Sequence, residues 1–179
     1  MSQEALNSPS AGRELEFIID LVKQLNNVEL AIEQSREKLV LRCKEFNNKV
    51  ALKLFNPPKE ESENMYQANV KKAFRQVGIV LEPHQAKDIL SRFDSNYDGE
   101  ITYSDVCDIF KPLSKPLQKE LVKRTIHLDQ HVSVGSNNDV KISKHCKDYI
   151  KDLFEVLLQA ASVADKIRLA ILKRPAHSV

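Results

Sequence analysis

The 179-residue sequence predicts a mostly α-helical fold, and three observations carry that prediction. Glycine occurs only four times and tryptophan not at all, while Leu, Ala, Lys, Glu and Val are plentiful, a composition that favours helices over sheets. Apolar residues recur at helical spacing: Ile18, Leu25, Ile32 and Leu39 stand seven apart, with Leu21, Val22 and Val28 filling the stripe between them. Prolines and turn formers stand between such stripes, in NPPKEESEN at 56–64 and SVGSNNDVKIS at 133–143.

The length suits one sizeable domain or two small lobes. Charged residues make up 29% of the chain and leave a net charge of +2, so no strong field draws in nucleic acid or a membrane surface. Three cysteines, Cys43, Cys107 and Cys146, occur without a CxxC motif, which points to free thiols in a reducing, cytoplasmic setting. No apolar run reaches the length of a bilayer crossing.

In chain order, MSQEALNSPSAGRE has no apolar core and is expected to be a flexible tail rather than a secretory signal. A helical pattern runs from Arg13 to about Phe55, with Asn26-Asn27 as a candidate break and packing against the rest of the protein favoured over a coiled coil. Pro57 and Pro58 stop it. A helix at about 65–77 leads to GIVLEPHQ, where Glu82 can cap and Pro83 suits a first helical turn. The next helix carries Ala86, Ile89, Leu90 and Phe93 on one face, and a further one carries Val106, Ile109 and Phe110 before Pro112. LQKELVKRTIHL fits a helix or a partly extended segment, and the 133–143 turn is expected between two short strands. Two closing helices, 143–159 and 162–173, have Ser143 and Ser162 as N-cap candidates.

Chemistry concentrates in DSNYDGEITYSD, residues 94–105. Oxygen-bearing side chains alternate at Asp94, Asn96 and Asp98, so they point inward as the chain curls around a hard cation. Gly99 permits the sharp bend, Glu100 offers its backbone carbonyl, Thr102 acts through a water, and Asp105 closes the cage from the start of the next helix. Apolar residues flank the loop at matching spacing on both sides, as two helices sharing one core require.

This loop with its flanks resembles the EF-hand of the calmodulin superfamily. One departure from that pattern is Asp105, where a longer glutamate ordinarily grips calcium with both oxygens. The shorter carboxylate implies weak Ca2+ affinity, roughly 10⁻⁵ to 10⁻³ M, or resident Mg2+. Because such hands pair, a partner is sought upstream. Leu52 and Phe55 resemble the end of an entering helix, and Val70, Ala73, Phe74 and Val77 an exiting one. The fourteen residues 56–69 between them have early prolines, no glycine and acidic residues out of register, as in a degenerate hand that binds no metal, with Met65 facing Ile101.

VELAIEQSREKLVLRCKEFNN, SRFDSNYDGEITYSDVCDIFKPL and LFEVLLQAASVADKIRLAIL are similar to the lead-in helix, second hand and closing helices of EF-hand proteins of ciliates and flagellated protists. That resemblance implies a ciliary, axonemal or cytoskeletal setting and protein partners in a large, microtubule-associated assembly.

The expected organisation is therefore a tail (1–12), an N-terminal helical arm (13–42) and an EF-hand pair (43–113). The pair comprises a degenerate hand at 43–78 and an intact hand at 83–113. A linker with a turn and short strands (114–142) and a C-terminal helical hairpin (143–175) complete it. No GxSxG, Walker or GxGxxG pattern occurs, and His145-Cys146 and His127/His131 lack the companions a zinc or thiol site needs. A non-enzymatic structural subunit is expected. Its rivals are a calcium-responsive sensor that binds a target helix and an accessory subunit of an enzyme complex, including a mitochondrial one.

Overall fold

A computed structural model describes residues 9–55, 67–94, 98, 101–131 and 142–172 of the chain. Seven helices make up most of the described residues: α1 (Pro9–Arg42), α2 (Asn48–Phe55), α3 (Gln67–Gln76), α4 (Pro83–Phe93), α5 (Tyr103–Phe110), α6 (Lys115–His131) and α7 (Lys144–Leu172). Among them the only trace of sheet is a single bridge residue, Ile101.

Local chemistry sets most helix ends. The Asn47 side chain accepts hydrogen bonds from the N–H groups of Lys49 (2.9 Å) and Val50 (3.2 Å), so it starts α2 as an N-cap. The α3 C-terminus closes on Gly78, whose φ of +87° is a conformation that costs glycine little. Ile79 donates to the Phe74 carbonyl and Gly78 to that of Arg75, each at 3.0 Å, the paired bonds of a Schellman turn. At α4 the Gln85 side chain accepts the Glu82 N–H at 2.9 Å and Pro83 opens the helix, as the sequence leads one to expect. Ser143 caps α7 by accepting the Cys146 N–H at 3.1 Å.

Two expectations are corrected and one left open is decided. The C-terminal hairpin is one continuous 29-residue helix, α7. Nothing in QAASVAD breaks a helix, and Ser162 is an exposed mid-helix residue rather than a cap. Residues 115–131 of the expected linker form α6, with Leu121 buried and Pro116 in the first turn, where its missing N–H costs nothing. Helix α1 is unbroken through the exposed Asn26 and Asn27 and reaches back to Pro9, inside the expected tail. The expected strands around the 133–143 turn, and residues 173–175 of the hairpin, lie outside the described residues.

One core joins all of this. Helix α2 packs on α3 and α5, α3 on α4, and α7 lies against both α1 and α4. At the centre, the Phe154 ring of α7 stacks on Phe74 of α3 at 4.1 Å between centroids. Edge or tilted contacts join it to Phe55 of α2 (6.1 Å) and Phe110 of α5 (5.9 Å). All four rings are fully buried. The terminal helices thus fold back onto the central four, and Ile32 and Leu39 of the seven-residue stripe are buried there rather than in a coiled coil.

Long-range polar clamps add to this packing. Arg124 of α6 donates to the carbonyls of Val40 and Cys43 at 3.0 Å each, and to that of Phe46 at 3.4 Å. A fixed cation therefore meets carbonyls at and just beyond the end of α1, where the helix dipole is negative. Asn69, buried in α3, donates to the Phe55 carbonyl at 3.0 Å, and Gln76 to that of Leu54 at 3.1 Å, closing α2 in the same way.

Candidate metal centre

The segment from α4 to α5 forms a helix, a loop and a helix. Helix α4 buries Ala86 and Ile89, with Leu90 and Phe93 partly buried, and α5 buries Val106, Ile109 and Phe110, so the apolar flanks of 94–105 meet the common core. Outside the loop, Arg92 at the end of α4 pairs with Glu29 of α1 at 2.5 Å, which ties the entering helix to the long N-terminal helix.

Asp94 stands at the C-cap of α4, its N–H donating to the Leu90 carbonyl at 2.9 Å. It is one of few polar side chains in the core, 5% exposed. Its Oδ1 accepts the Asp98 N–H at 3.2 Å. That bond brings the Asp98 backbone to the first carboxylate of the segment. Asp98 itself is exposed.

At the far end, Thr102 caps α5. Its Oγ1 accepts the Asp105 N–H at 3.3 Å, and Asp105 Oδ2 in return accepts the Thr102 N–H (2.8 Å) and hydroxyl (2.6 Å). This is a capping box with aspartate in the place usual for glutamate. Ile101 is fully buried beside it, at the bridge position.

Of the five expected ligand positions, the structure places Asp94 at the C-cap of α4, Asp98 between the two helices and Asp105 in the first turn of α5. Asn96 and Glu100 lie outside the described residues, as do Gly99, Met65 and residues 56–66 of the expected degenerate loop. Among the described residues no three His, Cys, Asp or Glu side chains are gathered closely enough to hold a metal ion by themselves. The donor set, carboxylates with an amide and a backbone carbonyl, suits a hard cation such as Ca2+ or Mg2+. Asp105 Oδ2 is engaged at the α5 cap.

Away from the loop, His145 packs edge-on against Tyr149 at 4.8 Å, an ordinary helix contact. Cys146 is buried against Cys43, and burial pushes both thiols up. That link between the end of α1 and the start of α7 was not legible in the sequence, where the two cysteines are about a hundred residues apart. No helix among the described residues is long and apolar enough to cross a membrane. Comparison of the chain with family models, with curated proteins and with solved structures finds no match.

Proposed function

We propose that this chain is a non-enzymatic EF-hand protein that binds a divalent cation in loop 94–105 and serves as a structural subunit of a larger protein assembly. The observation that carries this reading is the helix–loop–helix in which buried Asp94 accepts the Asp98 N–H while Asp105 is anchored at the start of α5. A bound cation would draw in and neutralise the carboxylates spaced along 94–105. Asp94, Asn96, Asp98 and Asp105 would hold it by side chains and Glu100 by its carbonyl. Binding then stiffens the junction of α4 and α5.

The packing of α7 favours a structural role over a sensor. A sensor must expose a groove for a target helix when its ion binds. Here Phe154 fills the space among Phe55, Phe74 and Phe110 that such a target would enter. Opening it would require a ligand to offset the loss of that buried packing, which one weak site is poorly suited to do.

A cytoplasmic setting, with the cilium or axoneme or the cytoskeleton as the site of assembly and a microtubule-associated protein as partner, completes the proposal. It is supported by the resemblance of the segments quoted above. Hydrogen exchange with and without Ca2+ tests the structural role. Protection is expected to rise only near 94–105 while α7 stays protected throughout; deprotection of α7 on adding Ca2+ overturns it in favour of the sensor.

A further inference from the structure

Helix α6 lies on α1 and α2 and is held against rolling about its own axis. Leu121 is buried in the core, and Arg124 is bonded to the carbonyls of Val40, Cys43 and Phe46. The Thr125 hydroxyl accepts the Asn48 N–H at 3.4 Å. The side of α6 turned away from these residues is therefore a fixed, outward surface, and its side chains line an open cleft of about 580 Å³.

Two rows make up that surface, each stepping four residues along the helix. One is Gln118, Val122 and Ile126, the other Lys115, Lys119 and Lys123. At 100° per residue all six fall within an arc of about 140°, so one partner can touch them together. Val122 and Ile126 are 51% and 53% exposed. The three lysines are exposed too, and among the described residues none of them has an ion-pair partner. Glu120, the one acidic residue between 115 and 126, pairs with Arg124 at 3.1 Å instead. Like charges four apart on a helix repel, a cost that an acidic neighbour relieves.

We propose that this face of α6 docks an acidic, amphipathic helix of a protein partner. Charge complementarity selects the occupant. A row of apolar side chains and a parallel row of cations leave a groove between them, and a helix packs by laying a ridge of its own into such a groove. Apolar side chains of the partner then cover Val122 and Ile126, while carboxylates along one side of its stripe meet Lys115, Lys119 and Lys123. A lipid surface is a poorer match. Helices that lie in a membrane present a broad apolar face with Trp, Phe or Leu, whereas two β-branched residues and a glutamine form the row here. This partner chemistry deepens the subunit reading above and rests on it, but not on the cation loop.

Fluorescence anisotropy of the full chain with a labelled synthetic helix tests it. The probe is rich in Ala and Gln, with one stripe of Leu beside one row of Glu. Binding is expected in the micromolar range and to weaken steeply as salt rises. Lys119→Glu/Lys123→Glu and, separately, Val122→Glu are each expected to weaken it at least about tenfold. Lys87→Glu/Lys147→Glu makes the same change of charge on exposed lysines of α4 and α7 and is expected to leave binding within about twofold. Should Val122→Glu lose helix content, the Lys119/Lys123 variant carries the test. Absence of binding, equal binding of a probe with Lys in place of Glu, or indifference to the α6 substitutions overturns the proposal. Tighter binding to phosphatidylserine vesicles, or self-association lost in the same variants, overturns it in favour of a lipid surface or a second copy. The subunit reading is tested separately, by the hydrogen exchange of α7 described above.

Discussion

The guanidinium of Arg36, in the C-terminal part of α1, donates from Nε to the Ile109 carbonyl at 2.9 Å, and its Nη2 reaches the Asp108 carbonyl at 3.3 Å. A residue 73 positions away in sequence thus closes the C-terminus of α5, the helix that leaves the candidate metal loop. Burial pushes the Arg36 pKa down, and Glu33 beside it pushes the other way, so the cation stays charged at any pH the fold survives. The Leu113 N–H donates to Glu33 at 2.6 Å, so the same turn of α1 also holds the chain just beyond α5.

Arg36→Ala is therefore expected to destabilise the fold by about 2 kcal/mol, the usual loss when charge-assisted hydrogen bonds at a helix end leave carbonyls unmet. Arg36→Lys should recover only part of this, because one ammonium cannot span both carbonyls as the fork does. Urea denaturation of the two variants checks it; equal stability for Ala and the natural chain would show the clamp to be idle.

Phe154 belongs to the C-terminal helix yet packs at the centre of the chain. Phe154→Ala is expected to cost about 3–5 kcal/mol and to lower the stability of the whole unit in one transition. Were α7 an independently folding element, the far-ultraviolet signal of the other helices would melt at an unchanged midpoint. Thermal unfolding followed by circular dichroism and by tyrosine fluorescence distinguishes the two.

For the loop, titration calorimetry is expected to give a Ca2+ dissociation constant of roughly 10⁻⁵ to 10⁻³ M. Asp98→Ala should abolish the heat of binding. Asp105→Glu, which adds the reach for a second oxygen at the closing position, should tighten binding by about tenfold or more. Submicromolar affinity in the natural chain would refute the argument from the short Asp105 carboxylate.

The two touching thiols give a pH prediction. Burial raises both Cys43 and Cys146 above the 9.0 of a free thiol, so near that pH the unfolded chain loses protons that the folded one keeps. Stability is therefore full below about pH 8 and falls as pH rises from there toward the folded values. The melting temperature should drop between about pH 8 and pH 10, and less steeply in Cys43→Ala/Cys146→Ala. In the same range Ellman's reagent should reach the half-buried Cys107 well before either partner of the pair. Equal slopes for the natural and double-alanine chains would rule the pair out as the source.

Much of the helical scaffold was legible because its signals are local. Glu82-Pro83 opens α4, Ser143 opens α7, and the spacing of Val70, Ala73 and Phe74 identifies the buried face of α3, each within a few residues of the feature it sets. The break expected between Gln159 and Ser162 misled, because serine caps a helix only where the chain before it is not already helical. Across QAASVAD the burial of Ala160, Ala161 and Val163 kept the helix running. The α6 helix was left open between helix and strand for the converse reason. Among its described side chains only Leu121 is buried, and Arg124 gains its partners only when the end of α1 is brought to it.

By itself, then, the amino-acid order determined which stretches coil and where oxygen donors alternate along 94–105, since both depend on neighbours a turn or less away. Only the tertiary structure decided that α7 threads Phe154 between Phe55, Phe74 and Phe110, that Arg36 and Arg124 close helices far off in the chain, and that Cys43 meets Cys146. Those pairings come from burying apolar faces together. Burial rewards any complementary surface without direction, so a linear pattern shows that a face must be covered but not which helix covers it.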